Sequence, residues 1–250
     1  MRLALLTDVH ANREAFSACL AHAASQQADQ YAFTGDFVGY GPDPAWVTDT
    51  VMQYVARGAV AVQGNHDLAA SRKAPATSAT MHPEAREVIA WTRAQLNAEQ
   101  TDFLAGLPLV SERDGMLFVH ASACDPGKWE YVTGVEQAGR SLVETGCRMV
   151  FSGHVHLPAL YRRADDGRMG ALVPSPGCAI ALQPQHQYLC IPGSVGQPRD
   201  GNSAACYAMY DDVARELRYF RVPYDHGAAA RKVIAAGLPI VFAMRLIEGI

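Results

Sequence analysis

The sequence is poor in the features that would place it in a membrane, on a nucleic acid or among disulfide-built proteins. No apolar run approaches the ~20 residues that a membrane-spanning helix needs, and Arg2 enters an apolar segment with no apolar leader before it. Charged residues are only 18% of the chain and the net charge is −4, so the basic field that neutralising many phosphates of a nucleic acid requires is missing. The six cysteines (Cys19, Cys124, Cys147, Cys178, Cys190, Cys206) show no close pairing, and several lie in apolar runs where a small hydrophobe fits. They read as buried thiols of a reducing compartment. There is no internal repeat, no low-complexity segment and no Pro/Ser linker that would divide the chain. These absences predict a cytoplasmic protein with neither a membrane nor a stable nucleic-acid partner. Its 250 residues form one domain, large enough to bury roughly 70 to 75% of its unfolded surface.

What the chain does contain is one pattern written five times: a short apolar strand that stops at polar, metal-type side chains. Ala59–Gln63 stops at Gly64-Asn65-His66-Asp67, Leu3–Leu6 at Asp8 and His10, and Tyr31–Phe33 at Gly35-Asp36. Met116–Val119 stops at His120, and Met149–Phe151 at Gly153-His154-Val155-His156. Between the first three strands lie helix-period segments, Arg13–Gln27 with Phe16, Leu20 and Ala23, and a stretch carrying Trp46, Val47, Val51, Tyr54 and Val55. A strand-helix alternation predicts parallel strands with right-handed crossovers and a ligand site at their carboxyl ends. All five clusters are then expected on one such edge.

Residues 68–110 form the longest interval between clusters and read as a helical insertion. Its start, Ser71–Ala79, is loop-like; Pro83 suits a first helical turn, and Gly106-Leu107-Pro108 suits a stop. The insertion is either a cap that meets substrate or a helix pair that covers the sheet. Ser122–Gly134, with Trp129, reads as a rim loop, and Val135–Glu144 as a helix resting on Val135, Ala138, Leu142 and Val143. Beyond His156 the texture is that of hairpins, Ala159–Arg163 with Met169–Val173 and Ala205–Tyr210 with Glu216–Val222, followed by helix over Gly227–Ile250. The expected fold is an α/β protein, a four-layer α/β/β/α sandwich of two mixed sheets.

Asp8, His10, Asp36, Asn65, His120, His154 and His156 offer carboxylate, amide and imidazole donors suited to two divalent ions. Manganese, or iron with manganese, fits such mixed ligands best, and zinc or nickel can substitute. In an extended segment residues two apart point the same way, so Asp8 and His10 are expected to grip one ion together. Asp36 is expected to bridge, because two cations ~3.5 to 4 Å apart need a shared anion, and a hydroxide held between them is the expected nucleophile. Taken singly, each residue has a plainer reading: Gly-Asp after a strand is usually a turn, and His120 alone would read as a core histidine. Five of nine histidines at strand ends make coincidence a poor explanation.

The blocks Asp-x-His, Gly-Asp, Gly-Asn-His-Asp, a lone His and Gly-His-x-His, in order from Asp8 to His156, resemble the calcineurin-like metallophosphoesterase superfamily. The resemblance implies that Asp8, His10, Asp36 and His156 hold one ion and that Asp36, Asn65, His120 and His154 hold the other. It also implies that His66, with Asp67 beside it, is catalytic, His66 binding phosphate and protonating the leaving oxygen. The runs Gly35–Pro44 and Pro192–Gly201 look like the small bacterial branch, whose members include phosphodiesterases, phosphatases and dinucleoside-polyphosphate hydrolases. Where protein phosphatases of the superfamily carry Asp-Arg-Gly, this chain has Gly39-Tyr40-Gly41. A phosphate clamp is therefore expected from Asn12 and Arg199, and Tyr40 is expected to line the pocket and stack on a base. The implied activity is hydrolysis of a small phosphomonoester or phosphodiester. A serine/threonine-type protein phosphatase is the alternative within the class. A non-catalytic scaffold, as in a retromer subunit that lacks the counterpart of His66, is the alternative outside it.

Overall fold

Along β1 (Arg2–Leu6) the side chains alternate between two faces, and both faces are buried. Leu3 and Leu5 point into a core shared with Phe118, Phe151 and Cys190, whereas Ala4 and Leu6 point into another shared with Phe16, Cys19, Val47 and Val51. That double burial sets the layers. The computed structural model describes residues 1–71 and 83–250.

One six-stranded sheet has the order β3 (Val60–Ala61), β2 (Gln30–Phe33), β1, β11 (Ala205–Asp211), β12 (Glu216–Val222) and β9 (Ala179–Ala181). β1, β2 and β3 are parallel, and the remaining pairings are antiparallel. The second sheet has the order β4 (Val110–Arg113), β5 (Met116–Val119), β6 (Met149–Phe151), β10 (Gln187–Ile191), β7 (Ala159–Arg163) and β8 (Met169–Leu172). Here β5, β6 and β10 are parallel and the outer pairings antiparallel. The sheets face each other across Leu3, Leu5, Ala208, Leu217 and Tyr219 on one side and Met116, Phe118, Phe151 and Tyr188 on the other.

Helices α1 (Arg13–Ser25) and α2 (Pro44–Ala56) cover the outer face of the first sheet through Phe16, Cys19, Ala23, Val47 and Val51. α6 (Val135–Thr145) covers the second through Ala138 and Leu142. This is the α/β/β/α sandwich, with both sheets mixed. Three expectations change in detail. The five cluster-bearing strands do not share one sheet: three belong to the first and two to the second, so their ends meet across the gap between sheets. Val135 and Val143, expected on the buried side of α6, are exposed, and Ser141 is buried there instead. The Asn65-His66-Asp67 turn is itself the first turn of a helix, α3 (Asn65–Ala70).

In the 68–110 interval, α4 (Pro83–Gln95) and α5 (Ala98–Gly106) send Ile89 and Leu104 into the first core, and Val88 against a cluster built by α7 (His226–Ala235) and α8 (Ile240–Glu248). The loop expected over Ser71–Ala79 lies outside the described residues apart from Ser71. No helix is long and apolar enough to cross a membrane among the described residues.

Phe33 is fully buried at the end of β2, two residues before the Gly35-Asp36 turn, and packs against the rings of Phe16 (5.8 Å), Tyr54 (5.6 Å) and Phe37 (6.4 Å). Phe33→Ala is expected to destabilise the protein by about 3 to 5 kcal/mol in denaturant unfolding; a loss below about 1 kcal/mol would contradict this packing.

Candidate metal centre

Past the ends of β1 and β2 the two chains stay in register without being strand. The amides of Asp8, His10 and Ala11 donate to the carbonyls of Gly35, Asp36 and Phe37 at 3.0, 2.9 and 2.8 Å. Asp8, His10, Ala11 and Asp36 all have φ between 48° and 54°, and His154 and His156 have φ of 68° and 64°. Left-handed backbone at non-glycine residues is uncommon and gathers where function holds it. Asp8 and His10 therefore do not share a face of an extended segment, as their spacing suggests; the left-handed turn brings both inward.

The second sheet supplies the rest. Gly153 donates its amide to His120 O at 2.8 Å, and His154 donates its amide to both oxygens of Asp8 at 3.2 and 3.0 Å. Thr7 Oγ1 donates to Asp8 Oδ2 at 2.8 Å, and a Cβ at Gly153 would lie 2.8 Å from that same oxygen, closer than real Cβ contacts come. Only glycine lets the sheets approach so closely here.

The donor atoms of Asp8, His10 and His156 lie within 4.8 Å of one another, as do those of Asp36, His120 and His154, and those of His10, Asp36 and His66. Asp36 Oδ2 stands between the groups, 3.8 Å from His10 Nε2, 3.3 Å from His120 Nε2 and 4.0 Å from His66 Nε2. His120 Nε2 is also 3.2 Å from Asn65 Oδ1 and 3.1 Å from His154 Nδ1, and His10 Nε2 is 3.1 Å from His156 Nε2. All seven expected ligands thus converge, and apart from the half-buried Asn65 all are buried.

Ring orientation is fixed from behind. The Nδ1 atoms of His10, His120 and His156 face the carbonyls of Val38, Thr34 and Gln197 at 3.2, 2.7 and 2.6 Å. A carbonyl only accepts, so each Nδ1 carries a hydrogen and each Nε2 faces inward, where it offers a lone pair once it is unprotonated. Lone pairs and carboxylate oxygens aimed at one another this closely repel unless a cation or proton lies between them, and the donor set fits two divalent ions. The ionisation shifts agree. Burial raises the carboxyls of Asp8 and Asp36, but His156 for the first and His120 with His66 for the second outweigh it, and both pKa values fall. Burial lowers His10 and takes His154 to about 3. His120 goes the other way: burial opposes its charge, Asp36 more than reverses that, and its pKa rises to about 9.

Two expected site residues are otherwise employed. Asp67 Oδ2 accepts from the amides of Asp36 (2.8 Å) and Gly64 (2.9 Å), and Oδ1 from those of Phe37 (2.8 Å) and Val38 (3.3 Å). Both oxygens are spent on backbone, so Asp67 braces the Asp36 turn and does not partner His66. Burial and Asp36 push its pKa up to about 7, against the amide hydrogen bonds of Gly64 and Val38, which favour the ionised form. Asn12 caps α1 through Ala15 N (3.1 Å), and its Nδ2 donates to Gly196 O (2.9 Å) and Tyr224 Oη (3.2 Å), which leaves nothing for a phosphate. Arg199 is different. It donates to Gln197 Oε1 (3.2 Å), lies near enough to Tyr40 and His66 for its charge to act on both, and keeps a buried Nε without a partner among the described residues.

Tyr40 does not offer a free face to a base, because His10, His66 and Phe242 surround its ring at 4.5, 4.6 and 4.8 Å. The exposed aromatic is Tyr131, stacked on His154 with ring centroids 4.0 Å apart, with Trp129 5.9 Å from His120. The rim loop around Trp129 is legible in the sequence; Tyr131 within it is not singled out by any pattern. His22 bonds to Tyr207 Oη at 2.7 Å away from the site, and His82 lies outside the described residues.

Residues 1–213 fit the family model described as the calcineurin-like phosphoesterase superfamily domain. An uncharacterized protein of Methanocaldococcus jannaschii is 30% identical, over 99% of this chain and 98% of its own. The crystal structure of a metallophosphoesterase from Sphaerobacter thermophilus superposes with a TM-score of 0.88 at 32% identity, covering 100% of this chain and 99% of that one. A hypothetical protein from Pyrococcus horikoshii shares the fold, with a TM-score of 0.79 at 17% identity, covering 99% and 98% of the two chains. With its strand-end donors in the order the family pattern requires and the model matched over most of its length, the chain belongs to the calcineurin-like phosphoesterase superfamily.

Proposed function

We propose that the protein is a dinuclear metal-dependent phosphoesterase acting on small phosphomonoesters or phosphodiesters, nucleotides and dinucleoside polyphosphates among them. The observation that carries the reading is the position of Asp36 Oδ2, one carboxylate oxygen facing imidazoles of both donor groups at 3.8 and 3.3 Å. Asp8, His10, Asp36 and His156 would hold one ion, and Asp36, Asn65, His120 and His154 the other, with manganese or an iron–manganese pair best suited to the mixed donors. Bound there, such ions supply Lewis acidity toward phosphoryl oxygens and lower the pKa of water.

The chain's own groups supply binding and proton transfer. Arg199, whose buried Nε has no partner among the described residues, would supply a donor to a phosphoryl oxygen. His66 turns Nε2 toward Asp36 and is the general acid for the leaving oxygen. Burial lowers its pKa, and the negative charge of a bound ester opposes that shift. Tyr131 and Trp129, beside His154 and His120, give a base a stacking surface worth about 1 to 3 kcal/mol. The absence of the Asp-Arg pair at Gly39-Tyr40 and the buried donors favour a small ester over a phosphoprotein.

Metal content and kinetics test this directly. Asp36→Asn is expected to lose both ions in elemental analysis and activity with them, since the shared ligand is gone. His66→Ala is expected to keep its metal and lose about 10² to 10⁴ in turnover on esters with poor leaving groups. Wild-type turnover by His66→Ala on such an ester would overturn the acid role, and a preference for phosphopeptides over nucleotides in kcat/KM would overturn the substrate class.

Metal binding should also release protons. His120, with its pKa raised to about 9, carries a proton in the metal-free protein at neutral pH, and a ligand nitrogen must give that proton up. Apparent metal affinity is expected to weaken by about tenfold per pH unit on lowering pH below about 9, as titration calorimetry in buffers of different ionisation enthalpy would record. Affinity independent of pH between 7 and 9 would contradict it.

A further inference from the structure

We propose that Tyr40 is the positioning residue of His66, holding the imidazole by ring packing instead of a hydrogen bond, and that α8 steadies Tyr40 through Phe242. The inference rests on His66 being the general acid. An imidazole that works through one nitrogen is ordinarily oriented through the other, and His10, His120 and His156 follow this rule with carbonyls behind Nδ1. His66 does not. Its Nδ1 is buried and has no hydrogen-bond partner among the described residues.

The residue facing that nitrogen is Gly39, and a Cβ there would collide with His66 Nδ1. No side chain at this position can offer an acceptor without displacing the ring. The next residue supplies the restraint. Tyr40 has φ of 62°, following Gly39 at 87°, and this left-handed pair turns the phenol inward. Its ring lies 4.6 Å from His66 at 60° and 4.5 Å from His10 at 45°, while His10 meets His66 edge-on at 5.0 Å and 83°. His66 is thus held between two rings.

Tyr40 has neighbours of its own. Gln197, whose carbonyl takes His156 Nδ1 at 2.6 Å, accepts through Oε1 from Arg199 at 3.2 Å, and the Arg199 charge acts on the nearby Tyr40 hydroxyl. Its ring packs on Phe242 of α8, itself buried among Val233, Leu238 and Leu246, and the end of α8 is tied to the site loop by Gly201 N–H to Gly249 O at 2.8 Å. The C-terminal helix pair therefore reaches the acid through two aromatic contacts.

The test compares manganese-loaded wild type, Tyr40→Leu, Tyr40→Phe, Phe242→Ala and His66→Ala on an alkyl phosphoester and on a p-nitrophenyl phosphoester, with metal content measured for each. A misplaced acid costs most where the leaving group needs a proton, so the alkyl-to-aryl kcat ratio of Tyr40→Leu should fall by on the order of tenfold with metal content kept. Tyr40→Phe, which keeps the ring, should restore most of the ratio, and Phe242→Ala should fall between Tyr40→Leu and wild type. In metal-free protein, the ring NMR signals of His66 should broaden in Tyr40→Leu and stay sharp in Tyr40→Phe. An unchanged ratio in Tyr40→Leu, or equal losses on both esters, overturns the positioning role. If His66→Ala shows no selective loss on the alkyl ester, the acid assignment itself fails; a selective loss in His66→Ala but not in Tyr40→Leu defeats the positioning role alone.

Discussion

The burial of the Asp36 carboxylate in the gap between two sheets is the constraint from which the site is built. A buried carboxylate is costly unless other groups supply positive charge and hydrogen bonds. Here His120 and His10 approach one oxygen, and the other accepts the His66 amide at 2.9 Å. To meet at Asp36 the donors must turn inward past their strand ends, which explains why Asp8, His10, Asp36, His154 and His156 share left-handed backbone. Such conformations cost of order 1 to 3 kcal/mol each and persist only where neighbours over-determine them. The Asp67 carboxylate, bound by four amides, and the paired amides of residues 8 to 11 with the carbonyls of 35 to 37 provide that restraint.

Residues that touch no metal-type donor hold the frame as firmly as those that do. Asp8 O accepts from Ser194 Oγ at 2.9 Å and from the Gly196 amide at 2.9 Å, and Thr7 O accepts from the Val195 amide at 3.0 Å. The loop between β10 and β11 thereby closes the back of the site, and through Asn12 it also reaches α1. The chemistry sits at strand ends; its rigidity comes from loops that run across them.

The layers, and the meeting of these seven side chains beyond the strand ends, were legible in the sequence, because apolar alternation and a polar residue at each strand end are properties of residue type and spacing. Sheet partnership was not. β1 pairs with β11 and β6 with β10, and nothing local in Leu3–Leu6 or Met149–Phe151 names a partner so far along the chain. The orienting carbonyls of Val38, Thr34 and Gln197 were equally hidden, since every residue has a carbonyl and only the folded backbone aims it. Asn12, Asp67 and Tyr40 were assigned to substrate or catalysis for their chemistry and their place near the motifs. The first two are occupied by backbone groups and Tyr40 by Phe242, contacts that spacing does not reveal.

The position of β1 has a consequence for how the protein comes into being. Leu5 stands opposite Ala32 on one side and Ala208 on the other, so a central strand made first must wait for one made near the end. During synthesis from the amino terminus, β1, β2 and β3 emerge with an open edge where β11 will lie, and Asp8 lacks the Ser194–Gly196 loop that fixes its carbonyl. Long-range pairings of this kind slow folding and leave edges exposed to other chains. The donors therefore exist on the ribosome well before the frame that aims them, and a fully shaped site for metal arises only after the last strand pair has closed.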